Sequence, residues 1–182
     1  MKTLLILLLL APIFLVAQID TIPKGNVTHI DSALGLKIIY PFKNSQVTGK
    51  VKAYYISNKN LAYEGESKGN AKEGTWSYFE YDSLNKPSVY QFFNYKNDTL
   101  NGAFVEVIDS LRVRGSYKYA ILDGVYKREI SSVSDSGTAV WTPLDSGGYA
   151  AGERYGQWTF LIKGKLQKTG YYQDGKKHKH WF

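Results

Sequence analysis

The sequence predicts an all-β protein: an elongated open sheet of stacked antiparallel β-hairpin repeats. Three observations predict it. Aromatic residues are abundant, with 15 Tyr, 8 Phe and 4 Trp among 182 residues, and 17 glycines accompany them. This pairing favours strands and tight turns over helices. A Gly-x-aromatic unit followed by alternating side chains recurs down the chain. After the first 17 residues, no stretch carries a convincing helical period.

The first segment reads as an address. Met1-Lys2-Thr3 is a short positive start, Leu4 to Leu10 is wholly apolar, and the apolar stretch continues to Ala17 before Gln18-Ile19-Asp20. A charged start, a short apolar run and a small residue before a polar one describe a secretory signal peptide over residues 1–17. The run is short of the roughly 20 residues that span a bilayer. The expectation is an exported protein, periplasmic or extracellular, with no transmembrane segment in the mature chain. Residues 18–48 fit the repeat poorly and are expected to form an N-terminal arm or a capping strand.

Residues 49–182 are expected to be the repeat domain, with about five or six units. The pairs Gly74 and Trp76, Gly102 and Phe104, Gly124 and Tyr126, and Gly156 and Trp158 define four of them. Trp181 marks a last copy, in which Lys179 stands at the glycine position, and Gly49-Lys50-Val51 is a possible early one. Ahead of each aromatic runs a second strand with its own glycine, as in Tyr63-Glu64-Gly65, Gly115-Ser116-Tyr117 and Gly170-Tyr171-Tyr172, with Gly147-Gly148-Tyr149 as a weaker case. Asn101-Gly102, Asp123-Gly124 and Asp174-Gly175 supply hairpin turns, because these residues tolerate positive φ. Each unit is therefore a hairpin that is marginal alone and stable when stacked on its neighbours. Two longer intervals, 82–88 and 131–148, read as hairpin loops that have grown.

These units resemble MORN-type repeats, in the form found in exported bacterial proteins of the YwqK-like family that carries an antitoxin label. The stretch from Gly170 to Trp181 is similar to the family's Gly-x-Tyr-x-x-Gly-Lys rhythm, ending on Trp. The resemblance covers residues 49–182 and implies an open sheet of hairpins. It implies little about activity.

Composition narrows function by elimination. There is no cysteine, so disulfides, iron–sulfur clusters and a thiolate nucleophile are excluded. Gly-x-Ser-x-Gly, His-Glu-x-x-His and a phosphate-binding loop are missing from the sequence. His178-x-His180 with Asp174 offers two imidazoles and one carboxylate, a thin set for a metal. The expectation is a non-enzymatic protein with no cofactor and no metal. The repeat aromatics are expected to pack between hairpins.

The candidate partner-binding residues lie near the C-terminus. Residues 163–182 hold six lysines and one acid, whereas the mature chain before them nearly balances. Lys163, Lys165, Lys176, Lys177 and Lys179, with Tyr171 and Tyr172, are the residues singled out. A protein partner held on the sheet face ranks first. A polysaccharide or an anionic lipid surface is the alternative, and nucleic acid is not expected of an exported protein. A secreted hydrolase using carboxylates such as Glu64, Glu66 and Glu73 is a further alternative.

Overall fold

The computed structural model describes residues 25–134, 139–178 and 181–182. Lys179 and His180, and the leader expected over residues 1–17, lie outside the described residues. All regular structure described is β-strand, paired antiparallel. The chain divides into two units, one reaching Val89 with Tyr95–Asp98 added, the other made of Tyr90–Asn94 and Thr99–Phe182.

The first unit holds β1 (Gly25–Asp31), β2 (Leu36–Lys43), β3 (Gln46–Val47), β4 (Gly49–Tyr55), β5 (Leu61–Lys68) and β6 (Ala71–Tyr81), in the sheet order β1-β2-β4-β5-β6 with β3 against β2. Residues 25–43 are thus a complete hairpin, with β2 paired to β4. The strand β7 (Pro87–Lys96) contributes residues to both units. The second unit holds β8 (Thr99–Ile108), β9 (Leu111–Lys118), β10 (Ile121–Leu122), β11 (Gly124–Val133), β12 (Ala139–Ala150), β13 (Glu153–Ile162), β14 (Lys165–Gln173) and β15 (Lys176–His178). They follow the order β8-β9-β11-β12-β13-β14-β15, with β10 against β9. Neither run closes into a barrel.

One expectation is corrected. Residues 131–133 and 139–148 are strand rather than loop. They lengthen β11 and β12, which pair from Gly124↔Tyr149 to Val133↔Ala139. Asp145 therefore lies inside a strand, buried beside the Arg128 guanidinium. Asp31 and Asp82 cap turns, Asp31 accepting from the Leu34 N–H and Asp82 from those of Leu84 and Lys86.

The repeat has a precise physical content. In each repeat that carries a Trp (Trp76, Trp158 and Trp181) the ring covers a glycine eleven residues earlier, on the preceding strand. A methyl group added at Gly65, Gly147 or Gly170 would overlap the ring of Trp76, Trp158 or Trp181 respectively. The ladder makes room for the ring with a bulge. Gly65 lies between the pairs Glu64↔Ser77 and Glu66↔Glu73, so it faces all of Gly74, Thr75 and Trp76. Gly147 faces Gly156, Gln157 and Trp158 in the same way. Gly74 and Gly156 take φ of 65° and 73° there, the left-handed conformation that such a bulge requires and that glycine adopts without strain. The indole N–H groups of Trp76 and Trp158 then donate to the Glu66 and Gly148 carbonyls, each at 3.0 Å. Gly170 is bracketed likewise by Tyr171↔His178 and by the backbone bonds between Thr169 and Phe182.

The same eleven-residue offset relates Gly115 to Tyr126 and Phe93 to Phe104. In the second of these a ring stands where the other copies have glycine. Phe93 and Phe104 stack with planes 1° apart and centroids 6.2 Å apart. A further correlation separates the Trp copies from the others. Four residues before each Trp stands a cation whose charge lies over that ring: Lys72 on Trp76 at 4.7 Å, Arg154 on Trp158 at 4.4 Å and Lys177 on Trp181 at 4.9 Å. The Phe104 and Tyr126 copies have Leu100 and Leu122 there. Trp presents the best cation–π face of the aromatic residues, which accounts for the pairing. Lys72 and Arg154 also reach a Tyr of the following strand, Tyr95 at 4.9 Å and Tyr172 at 5.3 Å.

A double-mutant cycle checks the covered glycine. Gly147→Ala should cost about 3 kcal/mol, because Trp158 is fully buried and the methyl has nowhere to go. Gly156→Ala meets no atom within 4 Å and should lose only the conformational preference, about 1 kcal/mol. In a Trp158→Ala background the Gly147→Ala cost should fall below about 1 kcal/mol, measured by urea unfolding.

Candidate functional site

Because the strands alternate, the covered glycines and rings occupy one face of each sheet. On the second unit that face is continuous packing. Trp158 has Tyr126, Tyr149, Phe160 and Tyr172 within 5.4–6.0 Å, and Trp181 touches Phe160 and Tyr172. Trp76, Phe104 and Trp158 are all buried. These rings hold the hairpins together. The opposite face is where an interaction surface can form.

The C-terminal residues singled out above do not make one cluster. Lys163 lies in the β13–β14 turn with Lys165 just beyond it, whereas Lys176 and Lys177 begin β15 opposite Gln173 and Tyr172. Most of β14 separates the two pairs, roughly 25 Å at about 3.3 Å per residue. Tyr172 is buried on the packed face with Lys177 over Trp181, while Tyr171 points to the other face and is half exposed. Alternation splits neighbours in sequence onto opposite surfaces. Two of the three carboxylates considered for hydrolysis are engaged: Glu64 with Lys50 at 2.8 Å, and Glu73 with the Asn97 N–H at 3.0 Å.

The register assembles a different group on the open face of the second unit. Lys127 pairs with Arg114 on one side and Ser146 on the other, Ser146 pairs with Thr159, and Thr159 with Thr169. One polar row therefore crosses β9, β11, β12, β13 and β14. Beside it Val125 and Tyr155 both pair with Gly148, and Tyr171 follows Thr169 on the same face of β14. Val125 is 78%, Tyr155 58% and Tyr171 47% exposed.

At the β9–β11 end of the row three cations surround one carboxylate. Glu129 is 4% exposed. It takes Arg112 Nε at 2.7 Å, Arg114 Nε at 3.1 Å and Lys127 Nζ at 2.9 Å. Arg112 is pinned further, its guanidinium lying 4.2 Å from the centre of the Trp141 ring. Burial alone would raise the Glu129 carboxyl. Hydrogen bonds from Arg112 and Lys127, with the charges of Arg112 and Arg114, outweigh it and hold the group below its ordinary value. Charge counting along the chain could not find this group, because the residues before position 163 nearly cancel. The local signal was Arg112-x-Arg114 on one strand and Lys127-x-Glu129 on the next, an alternation that puts all four on one face.

Among the described residues no group of three or more His, Asp or Glu side chains is placed to hold a metal ion. No helix there is long and apolar enough to cross a membrane.

Glu129→Gln provides a test of the electrostatics. A depressed folded pKa means that the carboxylate's contribution is complete above the unfolded value of about 4.3 and is lost as pH falls through the folded one. The variant should lose about 2 kcal/mol at neutral pH, less than for a fully buried pair because Arg114 and Lys127 remain part-exposed. Its stability should also fall less steeply than the parent's on acidification, followed by urea unfolding between neutral and acid pH.

No family model matches this chain, and no curated protein does.

Proposed function

We propose that the chain is a non-enzymatic scaffold, exported to the cell envelope and built of MORN-type hairpin repeats, that holds a protein partner on the open face of its second unit. The observation that carries the reading is the division of labour between the two faces. One is filled by rings lying on glycines and on one another, so the strands are held rigidly from that side. The other presents Val125, Tyr155 and Tyr171 to solvent on fixed strands, with the hydroxyl row beside them. Exposed tyrosines on a preorganised surface suit protein recognition, since each contributes a large contact area and a hydrogen-bonding tip while losing little conformational entropy.

Export rests on the leader-like residues 1–17, and the repeat assignment on the Gly-x-aromatic units. The absence of a nucleophile motif favours binding over catalysis. A polysaccharide-binding role is the second reading, supported by the same tyrosines and hydroxyls.

The test is retention of envelope components on the immobilised chain lacking residues 1–17, with a Tyr155→Ala/Tyr171→Ala variant in parallel. The expected result is a protein that stays bound at high salt and is at least about tenfold depleted by the variant, with both proteins melting at the same temperature. Retention of polysaccharide with no protein, or equal retention by both chains, would overturn the reading.

A further inference from the structure

We propose that the cluster of Arg112, Arg114, Lys127 and Glu129 is a binding site for an extended acidic peptide segment with carboxylates at alternate positions. This rests on the scaffold reading and assigns the chemistry of the partner at one end of the open face.

Three features of the cluster point to an anionic ligand. Its charge is unbalanced, with three cations sharing one carboxylate. Each guanidinium has five N–H donors and the ammonium three, whereas a carboxylate offers about four acceptor positions. Glu129 is almost fully covered and can satisfy only a fraction of those donors. The pairing is also unfavourable by itself. Arg114 and Lys127 are direct partners across the β9–β11 ladder, and like charges placed opposite each other destabilise a sheet. A local conflict of this kind is what a position shaped by binding can show. The third feature is preorganisation. Glu129 draws both arginines in through Nε, and the Trp141 ring holds Arg112 from another side. The ligand therefore meets side chains whose ordering cost has already been met.

Geometry selects the kind of anion. Arg112 and Arg114 are two residues apart on β9, a spacing of about 6.6 Å, which is also the repeat of same-side residues in any extended peptide. A peptide laid along β9 can place successive alternate carboxylates on Arg112 and Arg114, the latter beside Lys127. Arginine is suited to this role because its planar fork matches a carboxylate. Arg114 and Lys127 are the accessible members, with side chains 46% and 38% exposed, and Arg112, at 18%, offers only the edge of its guanidinium.

Fluorescence anisotropy with a labelled peptide of alternating Glu and Thr tests the site. The chain lacking residues 1–17 should bind it at low salt and weaken steeply as salt rises. Arg114→Gln/Lys127→Gln should weaken binding about tenfold or more, read at a temperature where circular dichroism shows both chains folded, because the variant also removes two of the partners of Glu129. The same residues shuffled so that the glutamates are contiguous should bind less tightly. Unchanged affinity in the double variant would overturn the proposal, as would equal affinity for the shuffled peptide or stronger binding of polygalacturonate. The scaffold reading can survive that failure. A partner retained through Tyr155 and Tyr171, and still retained by Arg114→Gln/Lys127→Gln, would remove the acidic-peptide site and leave the scaffold standing.

Discussion

Everything else in this structure depends on a ring lying flat on a strand where no side chain projects. Within each unit the described strands form one sheet layer, so the rings are buried by the strands that carry them. Glycine at position 65, 147 or 170 removes the Cβ that would hold the indole away, and the ring settles directly onto backbone. The bulge opposite that glycine supplies the extra residues that carry the aromatic across, and the positive φ of Gly74 or Gly156 turns the chain through it. Three local features serve one contact. A buried Trp contributes a stabilisation of about 3–5 kcal/mol by truncation, enough to make each hairpin cohere with its neighbour.

That contact explains the charges on the packed face. A ring lying on backbone still exposes its other side, and water there would forfeit part of the gain. In each Trp copy a cation four residues earlier lies over that side, with an aliphatic stem that adds cover. Lys72 and Arg154 also touch a Tyr of the next strand, so the same side chain joins one hairpin to the following one. Burial lowers the Lys72 pKa, and the nearby Asp98 carboxylate opposes the effect. The cations of this face are thus structural, and Lys177 belongs with them despite its place in the lysine-rich terminus.

Much of this was legible in the residues. Gly74-x-Trp76 and Gly156-x-Trp158 announce the repeat, and alternation with turn dipeptides gives the hairpins. The second glycine was visible in Tyr63-Glu64-Gly65 and Gly170-Tyr171-Tyr172, but its relation to the ring was not. A fixed separation of eleven residues acquires meaning only once the bulge sets which backbone the ring covers. The interval 131–148 misled because Ser, Gly and Asp are turn formers by propensity. Here Gly147 is needed under Trp158, and Asp145 is kept in the strand by Arg128, so tertiary contacts override local preference. Charge read along the sequence is reshuffled for a different reason. A run of lysines in sequence is dispersed by a strand, onto both faces and along its length. Cations separated in sequence are gathered by the register.

The last point bears on which surface can recognise a partner. Lys163 and Lys165 lie at one end of β14, and Lys176 and Lys177 opposite the other. Surface charges so far apart are largely screened from each other at physiological ionic strength, where the Debye length is about 8 Å. They therefore act as separate weak charges. Arg112, Arg114 and Lys127 act together because all three reach the same carboxylate, within 3.1 Å. They share the open face with Tyr155 and Tyr171, and there Arg112 lies against the Trp141 ring. Recognition needs several groups to be presented at once in fixed positions. In the scaffold reading proposed above, the packed face supplies the rigidity and the open face of the second unit supplies the groups.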